Sequence, residues 1–217
     1  MKGNVLQWAL DLLYPRKCPF CDRVLERGIE GMCGRCPDEL PWVRGAAFEV
    51  PGCQLVCSAL WYEGRVADGI VRYKFRHAKR HSAIFGLLMA QALDEVCREM
   101  PDVVVWVPLS AQHLRRRGYD QAELLARRVA ELKGLPVAGA LVKRRNTRTQ
   151  SHLHGAKARA KNVAGAYACR GEADVRGLRV LLVDDVFTTG ATLSQCAQCL
   201  RQAGARSVVG LTLARAR

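Results

Sequence analysis

The stretch RVLLVDDVFTTGATL, Arg179 to Leu193, decides how the rest of the chain is read. Val180, Leu181, Leu182 and Val183 form a short apolar run of the kind that makes a strand buried on both faces. Asp184 and Asp185 place two carboxylates at its carboxyl end. Thr188-Thr189-Gly190-Ala191-Thr192 then leads into a helical pattern with Leu193, Cys196, Ala197 and Leu200 on one side. In an open α/β sheet, ligands sit outside the carboxyl ends of the strands, and a helix N-terminus after such a turn offers unpaired amides to an anion. Gly190 permits close backbone approach, and the threonine hydroxyls add donors without bulk. Two acids beside a phosphate cradle suit a ligand with a phosphate at one end and hydroxyls next to it, which is the shape of a ribose 5-phosphate. The plainer reading is a strand–turn–helix with a capping aspartate, but a buried strand seldom ends in two adjacent acids without a partner for them.

A chain of 217 residues, 49% hydrophobic and 25% charged, has the composition of a globular protein and length for one good core plus an appendage. No stretch approaches the length of a membrane span. The opening MKGNVLQWALDLLYP is apolar and helical in pattern, but it has one early lysine, interruptions at Gln7 and Asp11, and no small-residue cleavage site. The expected compartment is the cytoplasm, where ten cysteines read as metal ligands and buried thiols. The net charge of +14 is unevenly spread: residues 1–50 hold seven basic and seven acidic residues, whereas 111–161 hold 13 basic and three acidic. Such a tract suits polyanions, either pyrophosphate or nucleic acid; the bland alternative is an arginine-rich solvated surface.

Residues 4–13 are expected to form a short amphipathic helix ended by Pro15. Cys18-Pro-Phe-Cys21 and Cys33-Gly-Arg-Cys36 follow, separated by eleven residues, a spacing that can bring four thiolates to one tetrahedral Zn²⁺. Gly34 would ease the second turn, and a disulfide pair is the alternative. Four thiolates leave no position for water, so the zinc would be structural. Pro41, Gly45, Pro51 and Gly52 mark a linker, giving a module over 1–50 and a second domain over 51–217. A strand is expected at Ala59–Tyr62, then helices over Val66–Phe75 and His81–Met100 with Val71, Phe75, Ile84, Leu87, Leu88 and Leu93 on their apolar faces. VVVWV (Val103–Val107) reads as a second buried strand. After it, Arg115, Arg116, Arg117 and Gly118 precede a helix beginning near Tyr119, packed by Ala122, Leu125, Ala126, Val129 and Leu132. Short strands are expected at 140–143 and Ser207–Leu213, so strands and helices alternate as in a doubly wound, mostly parallel sheet. Between them, RRNTRTQSHLHGAKARAKNVAGAY is polar, basic and weakly periodic, as functional loops are.

VLLVDDVFTTGAT resembles the phosphoribosyl pyrophosphate (PRPP) signature of type I phosphoribosyltransferases: four apolar residues, two acids, then a small Thr/Gly loop. The resemblance implies a type I phosphoribosyltransferase-like fold, a mostly parallel sheet flanked by helices. It implies Asp184 and Asp185 at the ribose hydroxyls, Thr188, Thr189, Gly190, Ala191 and Thr192 at the 5-phosphate, Arg115, Arg116 and Arg117 beside the pyrophosphate, and Mg²⁺ bound with PRPP. Together with the paired Cys-x-x-Cys ribbon, Tyr62-Glu63-Gly64, Lys74-Phe75 and Arg117-Gly118-Tyr119-Asp120-Gln121-Ala122, the chain resembles the ComF family of competence-associated proteins. Thr147, Arg148, Gln150, Arg159 and Asn162 would belong to that family's flexible loop. Many members carry Asn where this chain has Asp120.

The family's link is to natural transformation, so the implied partners are PRPP, single-stranded DNA and competence DNA-translocation proteins. The implied chemistry is phosphoribosyl transfer to a nitrogen nucleophile through an oxocarbenium-like ribose, with pyrophosphate leaving. Related 6-oxopurine salvage enzymes open the phosphate loop with an aspartate base where this chain has Thr188, so hypoxanthine and guanine are not the expected acceptors. Two readings stand: an enzyme with an unidentified acceptor, or a DNA-processing accessory in which the PRPP fold binds or senses.

Overall fold

A computed structural model describes residues 15–26, 28–75, 78–145, 165–170 and 175–217. The expected helix over 4–13 and the loop residues Thr147, Arg148, Gln150, Lys157, Arg159, Lys161 and Asn162 lie outside the described residues. The first half of the chain forms α1 (Cys36–Glu39), β1 (Ala47–Phe48), β2 (Leu55–Trp61), α2 (Gly64–Phe75), a 3-10 turn (Lys79–His81), α3 (Ser82–Val96) and β3 (Val103–Trp106). The second half forms α4 (Ala111–Arg117), α5 (Gln121–Lys133), β4 (Leu141–Lys143), β5 (Tyr167–Cys169), β6 (Arg179–Phe187), α6 (Ala191–Gln202) and β7 (Ser207–Arg215).

Five strands make one sheet in the order β1-β2-β7-β6-β3. β2, β7, β6 and β3 are parallel, and β1 alone runs antiparallel on the outer edge of β2. β4 and β5 pair antiparallel in a separate two-stranded sheet. The unbroken apolar run of β6 now has its reason. Successive side chains point to opposite faces. Leu181 and Val183 join the core that also holds Val104, Val209 and Leu211 and residues of α2, α3 and α5. Val180 and Leu182 join the core beneath α6 and β4–β5. Both faces are covered, so no position along the run can be polar.

The four long helices α2, α3, α5 and α6 each bury one face, which corrects part of the expected pattern. On α2 the buried positions are Val66, Gly69, Ile70 and Tyr73, one turn apart, so Val71 and Phe75 fall on the outer side and are exposed. Leu87 and Leu132 fall off the buried stripes of α3 and α5 in the same way. Arg115, Arg116 and Arg117 do not lie in a loop ahead of a helix. They form the last turn of α4, which Gly118 ends in a left-handed conformation at φ 75°, and α5 starts at Gln121.

The cysteine-bearing segment is packed into the main core. Cys18, Phe20, Cys36 and Leu40 are buried with residues of α2 and α3, and Phe20 stacks on Phe85 at 5.5 Å. Arg72 on α2 donates to the carbonyls of Pro19 and Phe20, both at 2.8 Å. From Pro41 onward the chain runs along the sheet edge: Trp42 bridges Leu60, and β1 pairs with β2. The closest approach is at Gly69, where an added Cβ would lie 2.6 Å from the Pro19 carbonyl oxygen. Two effects compete in Gly69→Ala. Helix propensity favours alanine by about 1 kcal/mol, while forcing a methyl against backbone costs about 1–3 kcal/mol. The neighbour here is a carbonyl held by Arg72, so the clash should win. A lowered denaturant midpoint is expected; a raised one would show that the segment yields.

Candidate functional site

β6 outruns one of its neighbours. Its register with β3 ends at Trp106–Val183, whereas with β7 it continues to Phe187–Arg215. Asp184 and Asp185 are therefore inside the strand, but past its partner on the β3 side. Their environments differ. Asp185 is buried and faces the Lys74 ammonium at 3.0 Å, so it is not an unpartnered repelling charge. Asp184 is half-buried, and its carboxylate accepts the Asp185 amide at 2.8 Å. Desolvation, then the neighbouring Asp185 charge, push the Asp184 carboxyl well above the usual range.

The turn after β6 lines a shallow depression with Asp184, Thr188, Gly190, Ala191 and Thr192. Gly190 is required twice over. It sits at φ 76°, and a Cβ there would meet Phe187 and Val50 at 3.0 Å. It is also the N-cap of α6, and no side chain caps the helix, which leaves that end disposed toward an anion. Thr189 is exposed, and Thr188 and Thr192 are half-buried. A larger groove of about 410 Å³ lies elsewhere, lined by Trp42, Arg44, Leu88, Asp94 and Glu95, away from the β6 turn.

The arginine triplet is brought only partly to this place. Arg115 and Arg116 are exposed, while Arg117 is half-buried and donates to Gln121 Oε1 at 2.7 Å. A helix C-terminus favours cations, so α4 tolerates all three. Asp120 is held by backbone amides. Buried at the N-cap of α5, it accepts the amides of Ala122 (3.0 Å), Glu123 (3.3 Å) and Leu109 (2.8 Å). It thereby fastens the loop after β3 to the start of α5. Desolvation raises its carboxyl to about 6 against the lowering pull of those amides.

Two lysines that the sequence reading gave no role complete the arrangement. Lys74 is the partner of Asp185. Lys143, at the end of β4, lies over the Tyr167 ring at 5.1 Å. Burial lowers its ammonium, while the carboxylates of Asp184 and Asp120 raise it and Arg117 opposes them, so these four groups share one electrostatic neighbourhood. Tyr119, in the basic tract, and Tyr167, just beyond it, are buried.

The four cysteines of the paired Cys-x-x-Cys motifs form the second site. Their sulfurs all lie within 4.8 Å of one another, with Cys18–Cys36 at 3.6 Å and Cys21–Cys33 at 3.7 Å. Zn–S bonds of about 2.3 Å in a tetrahedron put sulfurs about 3.8 Å apart, so the donor set fits zinc and leaves no open position. Asp22, at φ 59°, shapes the first turn. Gly34 has an ordinary φ and open space beside it, so the second turn does not depend on a glycine. Among the described residues this is the one such cluster, and Cys53 and Cys57 stand outside it.

Family models match two parts of the chain: a double zinc ribbon domain over residues 9–67 and a phosphoribosyl transferase domain over 88–217. Competence protein F of Haemophilus influenzae is 34% identical, covering 85% of this chain and 84% of its own. A DNA utilization protein of Salmonella typhi is 32% identical over 88% of this chain and 80% of its own. The chain belongs to the ComF family. Competence protein ComFC of Bacillus subtilis is a further relative, 26% identical over 91% of this chain and 77% of its own. Among solved structures, an allosteric regulatory enzyme of purine biosynthesis aligns with 65% of this chain and 29% of its own at 25% identity and a TM-score of 0.44. In this ComF protein the four-cysteine cluster is a structural zinc site. No helix among the described residues is long and apolar enough to cross a membrane.

Protein purified without chelator should carry one zinc per chain by elemental analysis, and Cys21→Ser should abolish it. Because Cys18, Phe20 and Cys36 share a core with α2 and α3, metal loss should lower the unfolding midpoint of the whole chain. Two separate transitions, with the later one unmoved, would contradict that coupling.

Asp120→Ala removes the acceptor of three amides and should cost about 2 kcal/mol in denaturant unfolding. Its pH dependence has a definite sign. The folded carboxyl, at about 6, binds its proton more tightly than an unfolded one near 3.9, so this stabilisation is full below about pH 4 and is lost as pH rises through 6. The advantage of wild type over Asp120→Ala should therefore shrink by on the order of 2–3 kcal/mol between pH 4 and 7. An advantage that grows over that interval would show that the amides outweigh burial.

Proposed function

We propose that this ComF protein binds Mg²⁺–PRPP at the end of β6 and acts in the handling of single-stranded DNA during natural transformation. The observation that carries the reading is the acid pair beside an α6 N-terminus without a side-chain cap, at the carboxyl end of a central parallel strand. Asp184 and Asp185 would take the ribose hydroxyls, and the turn Thr188–Thr192 the 5-phosphate. Mg²⁺ suits this oxygen-rich place as a hard cation, and it would neutralise charge on the departing pyrophosphate. Arg117 and Lys143, in the electrostatic neighbourhood of Asp184, would hold the pyrophosphate. In a transfer, the ribose C1–O bond to pyrophosphate breaks, a nitrogen–C1 bond forms, and the nucleophile loses its proton. The basic tract and the relatives' names, competence protein and DNA utilization protein, support DNA as the second ligand.

A second reading is favoured by the Lys74–Asp185 pair. A lysine already on one of the two acids suits a site that binds or senses PRPP without turning it over. Pyrophosphate release measured with candidate acceptors separates the two readings.

Titration calorimetry should show Mg²⁺-dependent PRPP binding, weakened by about 1–3 kcal/mol in Asp184→Asn and in Asp185→Asn. The variants should part in stability. Asp184→Asn relieves a carboxylate that burial and a like charge disfavour, whereas Asp185→Asn strands the Lys74 ammonium. Unchanged PRPP affinity in both would remove the site from this place.

A further inference from the structure

Phe75 ends α2 with its ring 51% exposed, and Val71, one turn before it, is 46% exposed. Single exposed apolar residues are ordinary on a surface. This ring has particular neighbours. Two guanidiniums of the last α4 turn lie against it, Arg117 at 4.9 Å and Arg116 at 5.9 Å from the centroid. Arg117 is further fixed by Gln121. Arg115 adjoins them, and Leu114 on the same helix is 43% exposed. An apolar protein face would have to desolvate those guanidiniums to reach the ring. An inorganic anion would use the guanidiniums and leave the ring idle. A ligand that uses both must alternate π-faces with negative charges at close spacing, and a nucleic acid single strand does so.

We propose that Phe75, flanked by Arg116 and Arg117, is a base-stacking platform for single-stranded DNA. The inference rests on the DNA-handling reading given above and gives it a place. The guanidiniums lie over the ring in the free protein; a base takes their place on its face, and they turn to the adjoining phosphates. Lys74, the preceding residue, reaches Asp185, so the last turn of α2 carries both the platform and a contact to the acid pair. The sugar phosphate and the DNA are then neighbours on α2.

The test is a titration of the full chain with an oligothymidylate and with an abasic oligonucleotide of equal length, at several salt concentrations. Phe75→Ala should weaken oligothymidylate binding roughly tenfold with the salt slope unchanged, and should leave abasic binding as in wild type. Arg116→Ala with Arg117→Ala should weaken both ligands and reduce the salt slope by about two contacts. Phe75→Trp should retain binding, and its introduced indole should be quenched by oligothymidylate. The side chain is exposed, so both Phe75 variants should melt as wild type does. Wild-type binding of oligothymidylate that Phe75→Ala leaves unchanged, or equal losses on the abasic ligand, would overturn the platform and spare the DNA reading. A wild-type chain that binds neither oligonucleotide would overturn both.

Discussion

The Lys74–Asp185 ion pair is the contact on which the geometry of the site depends. Asp185 stands on a strand buried on both faces, and its side chain is 6% exposed. A carboxylate in such a place needs a cation or a proton. The cation comes from the last turn of α2, which also touches the cysteine segment. Breaking a buried pair by removing one partner typically costs about 3–5 kcal/mol, because the remaining charge is stranded. The position of α2 is therefore fixed at two points: Lys74 on β6, and Gly69 with Arg72 against the backbone of Pro19 and Phe20.

This arrangement gives the zinc cluster a structural consequence beyond its own loops. A zinc bound by the cluster would hold Cys18 and Cys21 in one turn, and that turn presents the Pro19 and Phe20 carbonyls to Arg72. The path from zinc to Asp185 is a continuous line of packed groups: sulfur, turn, guanidinium, helix, ammonium, carboxylate. Residues 1–50 are neutral in sum, so attraction of DNA by their charge is not needed to explain why the ribbon accompanies this domain. Holding α2 in register with β6 is sufficient.

What was legible in the sequence was whatever depends on neighbours along the chain. The Val180–Val183 run, the two acids, the Gly190 turn and the Cys-x-x-Cys spacings are local patterns with local causes, and the mostly parallel sheet followed from the alternation of strands and helices, whereas its strand order did not. Contacts across the fold were not legible. Lys74 stands 111 residues before Asp185, and nothing in KFRH distinguishes a lysine that reaches a buried carboxylate from one in solvent. The same holds for Lys143, whose neighbours come from three other elements. Phe75 was misread for a different reason. Periodicity identifies a stripe only when the phase is known, and Val66, Ile70 and Tyr73 set a phase that leaves Val71 and Phe75 outside. Ser110 and Gly118, which cap α4, were visible, but seven residues carrying three arginines read more readily as a loop than as one short helix.

Asp184 and Asp185 are chemically identical neighbours, yet the fold makes them unlike. Alternation along β6 sends one toward α2 and its lysine, and leaves the other with a neighbouring amide and a distant ammonium. Asp184 is held toward its protonated form by burial and by its neighbour's charge. A divalent cation arriving with a polyphosphate would remove both penalties together, because it supplies the charge that burial denies. Differential affinity of that kind favours a cation and anion that enter as one ligand, since free phosphate alone would add negative charge to an acid pair with one lysine between them. On the proposed reading the same electrostatics would keep the phosphates of a DNA strand away from the acids and near the α4 arginines, so the two ligands would adjoin without competing for the same oxygens.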